Sequence, residues 1–238
     1  MPKISVGRSE EDKEEHGLDG TGMIGKHLVG ENEEAHQANP VYFDVAKPHV
    51  VGVFGKRGTG KSYSMGTIAE EIHTADISEN LSTIIIDPMG IYWSMRRPNE
   101  QDVSILDQWD MKPKGFDVDV YIPKGKVKDF DEKEMPYDNT FTLNPAELTA
   151  EEWRMAFALE EDSEQNILLE RVIGELDEEF GDSYRIEHIL KAINSFDFDE
   201  KTVKALENRF RNAGDWGIFG EESSLDKLTE REELSVVD

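Results

Sequence analysis

The sequence predicts an α/β fold, in which a mostly parallel sheet carries an inserted helical bundle. Three observations predict it. Short apolar runs bounded by turn residues, such as His49–Phe54 and Ser82–Ile86, read as strands buried on both faces. A glycine-rich loop, Gly55–Ser62, lies between the first of these runs and a stretch with helical spacing. From about residue 146 the texture changes to amphipathic segments of helical period joined by short links.

Length and composition agree with this class. A chain of 238 residues with 37% hydrophobic side chains suffices for one sizeable α/β domain and a subdomain. The net charge of −26, from 52 acidic and 26 basic residues, repels nucleic acid at long range, so any contact with it requires a local basic patch or an enclosed channel. The absence of cysteine excludes disulfides, thiolate chemistry and cysteine-ligated zinc. The six histidines show no metal-ligand spacing. No apolar run approaches the ~18 residues of a membrane span, and the polar, acidic N-terminus is not a signal peptide, so a cytoplasmic protein is expected.

Residues 1–22 are rich in Glu, Asp, Lys and Gly and are expected to form a disordered leader. Met23–Val29 and Pro40–Val45 are candidate early strands. His49–Phe54 is the first strong strand, and after the loop Met65, Ile68, Ala69 and Ile72 recur at helical spacing. Ser82–Ile86 is the next buried strand, ended by Asp87-Pro88. Phe116–Ile122 alternates and is expected to be less buried, and Phe141–Pro145 is a short further piece. Thr149 with Glu152 forms a capping box ahead of Trp153. Gln165–Phe180 is a long amphipathic helix closed by Gly181, followed by helices over Arg185–Asn194 and from Asp199 to Gly214. Glu233–Asp238 reads as a further buried strand, and its place at the end of the sequence suggests a fragment of a longer protein. The expected division is a leader 1–22, a core 23–145, a helical insertion 146–215 and a return to the core sheet over 216–238.

Gly55-Lys56-Arg57-Gly58-Thr59-Gly60-Lys61-Ser62 matches G-x-x-x-x-G-K-[ST] in full. Glycines let the backbone curl so that successive amides point inward at phosphate oxygens, and the following helix N-terminus favours the same anion. Lys61 is expected to reach the terminal phosphates, and the Ser62 hydroxyl to ligate Mg2+. The expected contacts to ATP are the eight loop residues together with Tyr63. Asp87, at the end of the strand after the loop helix, is the second candidate catalytic residue beside Lys61, placed to hold the metal or polarise water. Asp238 is a weaker candidate magnesium ligand. Arg96, Arg97, Lys112, Lys114, Lys124, Lys126 and Lys128 are the basic residues available to touch nucleic-acid phosphates.

Pro48–Ser64 together with Ile85-Ile86-Asp87-Pro88-Met89-Gly90-Ile91-Tyr92 resembles the HerA-type ATPases of the HerA/FtsK superfamily. The resemblance continues at Val120–Gly125, Leu148–Trp153 and Trp216–Phe219, and spans about residues 24–238. It implies a RecA-like P-loop NTPase core, a hexameric ring that moves double-stranded DNA through its pore on ATP hydrolysis, and work alongside a NurA-type nuclease. The family's N-terminal barrel has no room here, and Ile91 stands where the family often has glutamate. By the resemblance, the Walker B pair and arginine finger are expected beyond Asp238, so that the chain as it stands would bind nucleotide but hydrolyse it poorly. The sequence leaves open two other readings: a nucleotide-binding interaction module without turnover, and a conjugative type IV secretion ATPase.

Overall fold

The computed structural model describes residues 3–30, 36–225, 228 and 233–238. The chain divides into two compact units, Met1–Val120 with Asp226–Asp238, and Tyr121–Leu225.

The first unit opens with β1 (Ile4–Val6), α1 (Glu10–His16), β2 (Thr21–Val29) and β3 (His36–Asp44). These strands form a sheet of order β1-β3-β2, with β1 parallel and β2 antiparallel to β3. The segment expected to be a disordered leader is therefore structured over residues 3–22. Composition misled because the anchorage is polar. The Ser9 hydroxyl accepts from the Asp12 amide at the N-cap of α1, and Glu10, Glu11 and Asp12 stand in its first turn, where the helix dipole favours them. Arg8 bonds the carbonyls of Gly17 and Asp19 and pairs with Asp44 at 3.0 Å, the two side chains being 3% and 0% exposed.

That ion pair makes stability depend on pH. Burial alone would push the Asp44 carboxyl up, but the Arg8 guanidinium and the Ala46 amide hold it below the ordinary carboxylate value, with His49 Nε2 also 3.8 Å away. A depressed folded pKa contributes stability that is complete above the unfolded value and is lost as pH falls through the folded one. Arg8→Met is accordingly expected to cost about 3 kcal/mol near neutrality, and less as the pH falls below the ordinary carboxylate range. Thermal unfolding followed across that range checks it, and parallel curves for the two proteins would contradict it.

After β3 come α2 (Lys61–Thr74), β4 (Thr83–Ile86) and α3 (Val103–Gln108). β4 pairs in parallel with β7 (Leu234–Val237), in the register Thr83↔Leu234 to Ile86↔Val237. Leu234, Ser235 and Val236 are buried, whereas of the apolar residues in β4 only Ile85 is. The early sheet docks on α2 through polar contacts, since Glu71 accepts from the Met23 amide at 2.7 Å and Asp76 from the Gly20 amide at 2.8 Å.

His49–Phe54, expected as a buried central strand, is not a strand. Val50 is fully exposed and Phe54 is 93% exposed. A parallel strand obtains its burial from neighbours on both edges and layers on both faces. Among the described residues neither edge of this segment is paired, so its apolar side chains stand in solvent. On α2, likewise, Gly66 and Ala69 are buried while Met65 is exposed.

β5 (Asp119–Pro123) crosses the boundary between the units, and in the second it pairs in parallel with β6 (Asn139–Phe141). Its alternation suggested partial exposure, yet Val118, Val120, Tyr121 and Ile122 are all at most 2% exposed. Consecutive burial of this kind means that both faces are covered. The unit continues with α4 (Val127–Glu132), α5 (Ala150–Ala156), α6 (Glu164–Phe180), α7 (Ile186–Ile193) and α8 (Glu200–Gly214).

Helices follow from Ala150 onward, with their caps. Thr149 and Glu152 form the reciprocal capping box of α5, Gly181 closes α6, and Asp199 caps α8. Leu168, Leu169, Val172, Ile173 and Leu176 of α6 pack with Ile189 and Ile193 of α7 and Leu206 and Phe210 of α8 around Trp153. The unit is wider than the expected 146–215, because residues 121–145 and 216–225 are stitched together within it. The Gly125 amide donates to Gly217 at 2.9 Å, Leu143 bridges Phe219, and the Asn144 amide donates to the Ser223 hydroxyl at 2.9 Å.

Candidate functional site

The glycine-rich loop runs from Gly55 to the first turn of α2 and is solvent-exposed over residues 54–60. Gly58 and Gly60 have φ of +80° and +89°, a region that a side chain disfavours, and Gly60 is the N-cap of α2. A Cβ on Gly55 would collide with the Thr59 hydroxyl. The Thr59 hydroxyl and amide both donate to the Lys56 carbonyl, at 2.8 and 3.3 Å, and close the curl. Into the same carbonyl, at 3.0 Å, points the Lys61 ammonium. The lysine is thus folded back onto its own loop, beside a helix N-terminus, which is where an anion is favoured. The Ser62 side chain is exposed at the second position of α2. Tyr63 is 66% exposed, and Lys56 and Arg57 are exposed as well.

Asp87 was expected at the reacting centre, facing metal or water. It is instead 1% exposed. One oxygen accepts from the Met89 amide at 3.3 Å, and the other from the Ile91 and Tyr92 amides, both at 2.7 Å. The physical reason is the turn that Pro88 forces. It folds residues 89–92 back over the carboxylate, which satisfies their amides at the start of a 3₁₀ segment, Tyr92–Arg96. The Asp87 amide is itself bonded to the Val237 carbonyl at 2.8 Å, so the turn hangs on the β4–β7 pair.

Sequence reasoning missed Tyr92 as a site residue. Its ring is buried and its hydroxyl donates to the Ser62 carbonyl at 3.0 Å. Burial raises the phenol above its ordinary value, so the donor keeps its proton. The available signal was an aromatic residue closing the motif that begins at Asp87, but nothing in the sequence shows which carbonyl it reaches.

The basic residues have several fates. In the first unit Arg96 is spent on the Val118 carbonyl, Arg97 stacks on Trp93 and Lys114 on Phe116. In the second unit Lys124 is exposed and Lys126 partly so, on a 3₁₀ turn, while exposed Lys128 pairs with Glu132 at 3.7 Å. Asp238 follows β7 directly. Among the described residues no three metal-ligating side chains form a cluster, and no helix is long and apolar enough to cross a membrane.

A glycine nest opening a helix beside a parallel strand pair defines a P-loop NTPase-like core in an α/β fold. Residues 23–235 match the family described as Helicase HerA, central domain. That is most of the chain, which therefore belongs to this family and is a HerA/FtsK-type ATPase domain. No curated protein matches it.

Proposed function

We propose that the chain is the ATP-binding subunit of a HerA-like translocase or helicase that couples ATP hydrolysis to movement of double-stranded DNA. The observation that carries this reading is the loop itself. Its two left-handed glycines, the Lys61 ammonium bonded to its own loop carbonyl and the Ser62 hydroxyl in the first turn of α2 supply donors and positive charge that complement a polyphosphate.

The residues fit ATP and Mg2+. The loop amides and Lys61 would hold the phosphates, with Lys61 exchanging the Lys56 carbonyl for phosphate oxygens. Ser62 supplies one hard oxygen to the metal, which suits Mg2+, since that ion ordinarily completes its shell with phosphate and water. The bound metal would neutralise charge on the phosphates, and the chain's part is positioning and charge stabilisation. Asp87 assists from behind, through the turn it holds.

On this reading the chain works as a homo-hexamer around DNA, with a NurA-like nuclease as partner. With a net charge of −26, contact with DNA falls to local patches, and the turn carrying Lys124 and Lys126, with Lys128 at the start of α4, is the one we assign. ATP turnover measured with and without double-stranded DNA ends tests the reading. DNA is expected to raise turnover, and replacing the three lysines by alanine to weaken that response and its salt dependence. In the complete gene product, turnover indifferent to DNA would overturn the translocase assignment, while bound nucleotide without turnover would favour an interaction module.

A further inference from the structure

We infer that Tyr92 is a positioning residue for the magnesium-binding turn of the phosphate loop. The inference deepens the nucleotide reading above and rests on it. Four residues are joined in series by three hydrogen bonds. The Val237 carbonyl of β7 accepts from the Asp87 amide, and the Asp87 carboxylate accepts from the Tyr92 amide at 2.7 Å. The Tyr92 hydroxyl then donates to the Ser62 carbonyl at 3.0 Å. The last link reaches the backbone of the residue whose side chain is assigned to the metal.

The geometry makes that contact a constraint on orientation. In an α-helix the Ser62 carbonyl serves the amide four residues on, that of Gly66, and a carbonyl has a second lone pair for the phenol. The ring lies against the helix at Gly66, where even a Cβ would meet Tyr92 Cε1 at 3.6 Å, an ordinary contact. The ring is 9% exposed, so its hydroxyl has little water to trade for the carbonyl. Asp87, 1% exposed and bonded by three amides, gives the other end of the tyrosine a fixed mount. The first turn of α2 is thereby held in height and rotation against the β4–β7 pair, which sets where the Ser62 hydroxyl is presented. The loop glycines and Lys61 do not depend on this link, because their curl is closed by Thr59 and Lys56.

A functional split follows. Tyr92→Phe keeps the ring and its packing but releases the Ser62 carbonyl. Affinity for a non-hydrolysable ATP analogue, measured by calorimetry on the whole chain, is expected to fall about three- to tenfold in Mg2+ and to change less than twofold in EDTA, one hydrogen bond being at stake. On a Ser62→Ala background the same substitution is expected to have no further effect in Mg2+, because the group it orients is gone. Equal losses with and without metal, or losses that add on the Ser62→Ala background, would overturn the inference. Unchanged affinity in Tyr92→Phe would do the same. If the unsubstituted chain gives no heat with the analogue, the nucleotide reading falls and takes this one with it. Binding that ignores Tyr92 removes the positioning role alone.

Discussion

Lys61→Ala is expected to abolish ATP-dependent activity while leaving the fold intact. The ammonium makes a charge-assisted contact in the bound state, and a hydrogen bond to a charged group contributes about 1.5–3 kcal/mol, or roughly ten- to a hundredfold in affinity. Loss of a preorganised stabiliser of developing charge costs turnover about 10²- to 10³-fold. In the structure Lys61 bonds the Lys56 carbonyl near the surface and sits at the positive end of the α2 dipole. Its removal therefore costs the fold little, and relief of that repulsion offsets the lost bond. The signature is a thermal midpoint that stays put while nucleotide affinity and turnover collapse. Undiminished turnover in the variant would retire the phosphate-loop assignment, and a fall in midpoint matching the loss of binding would make Lys61 a structural residue instead.

How much of this was legible beforehand follows the range of the interactions. The helical unit was readable almost helix by helix, because its signals are local. Thr149 and Glu152 are three residues apart and cap α5 as expected, and the apolar stripe of α6 faces inward from Leu168 to Leu176. The phosphate loop was readable for the same reason, its eight residues carrying their own backbone requirements. What failed depends on distant partners. His49–Phe54 has the apolarity of a central strand, but strandhood is decided by pairing, which that segment lacks among the described residues. The boundary of the helical unit is set by Gly125 meeting Gly217 and Leu143 meeting Phe219, contacts that no periodicity reports. Asp87 is the local exception, since it has the chemistry of a metal ligand but is enclosed by the backbone amides of the turn that follows it, which residue type does not report. Tyr92 reaches across 30 residues to Ser62, so its role emerges only in three dimensions.

The largest effect on stability is expected at Trp153. Its side chain is fully buried in the second unit, with ring centroids of Phe210, Phe157 and Phe219 at 4.8, 5.3 and 5.3 Å. These aromatic neighbours come from α8, the C-cap of α5 and the segment after α8, so the indole helps tie the helices to the returning chain. Truncation to alanine leaves a cavity among rigid rings that cannot collapse into it, and such changes cost about 3–5 kcal/mol. In a domain of roughly a hundred residues that lowers the unfolding midpoint by about 15 °C or more. Trp153 also carries a penalty of its own, because its indole N–H is buried without a hydrogen-bond partner among the described residues. Trp153→Phe removes that orphaned donor along with part of the ring, so its cost is expected to be well under half that of alanine, at about 1–2 kcal/mol. Calorimetric unfolding of the three proteins separates the contributions. If alanine and phenylalanine lowered the midpoint equally, the indole's value would lie in a hydrogen bond after all, and the packing account of this core would be wrong.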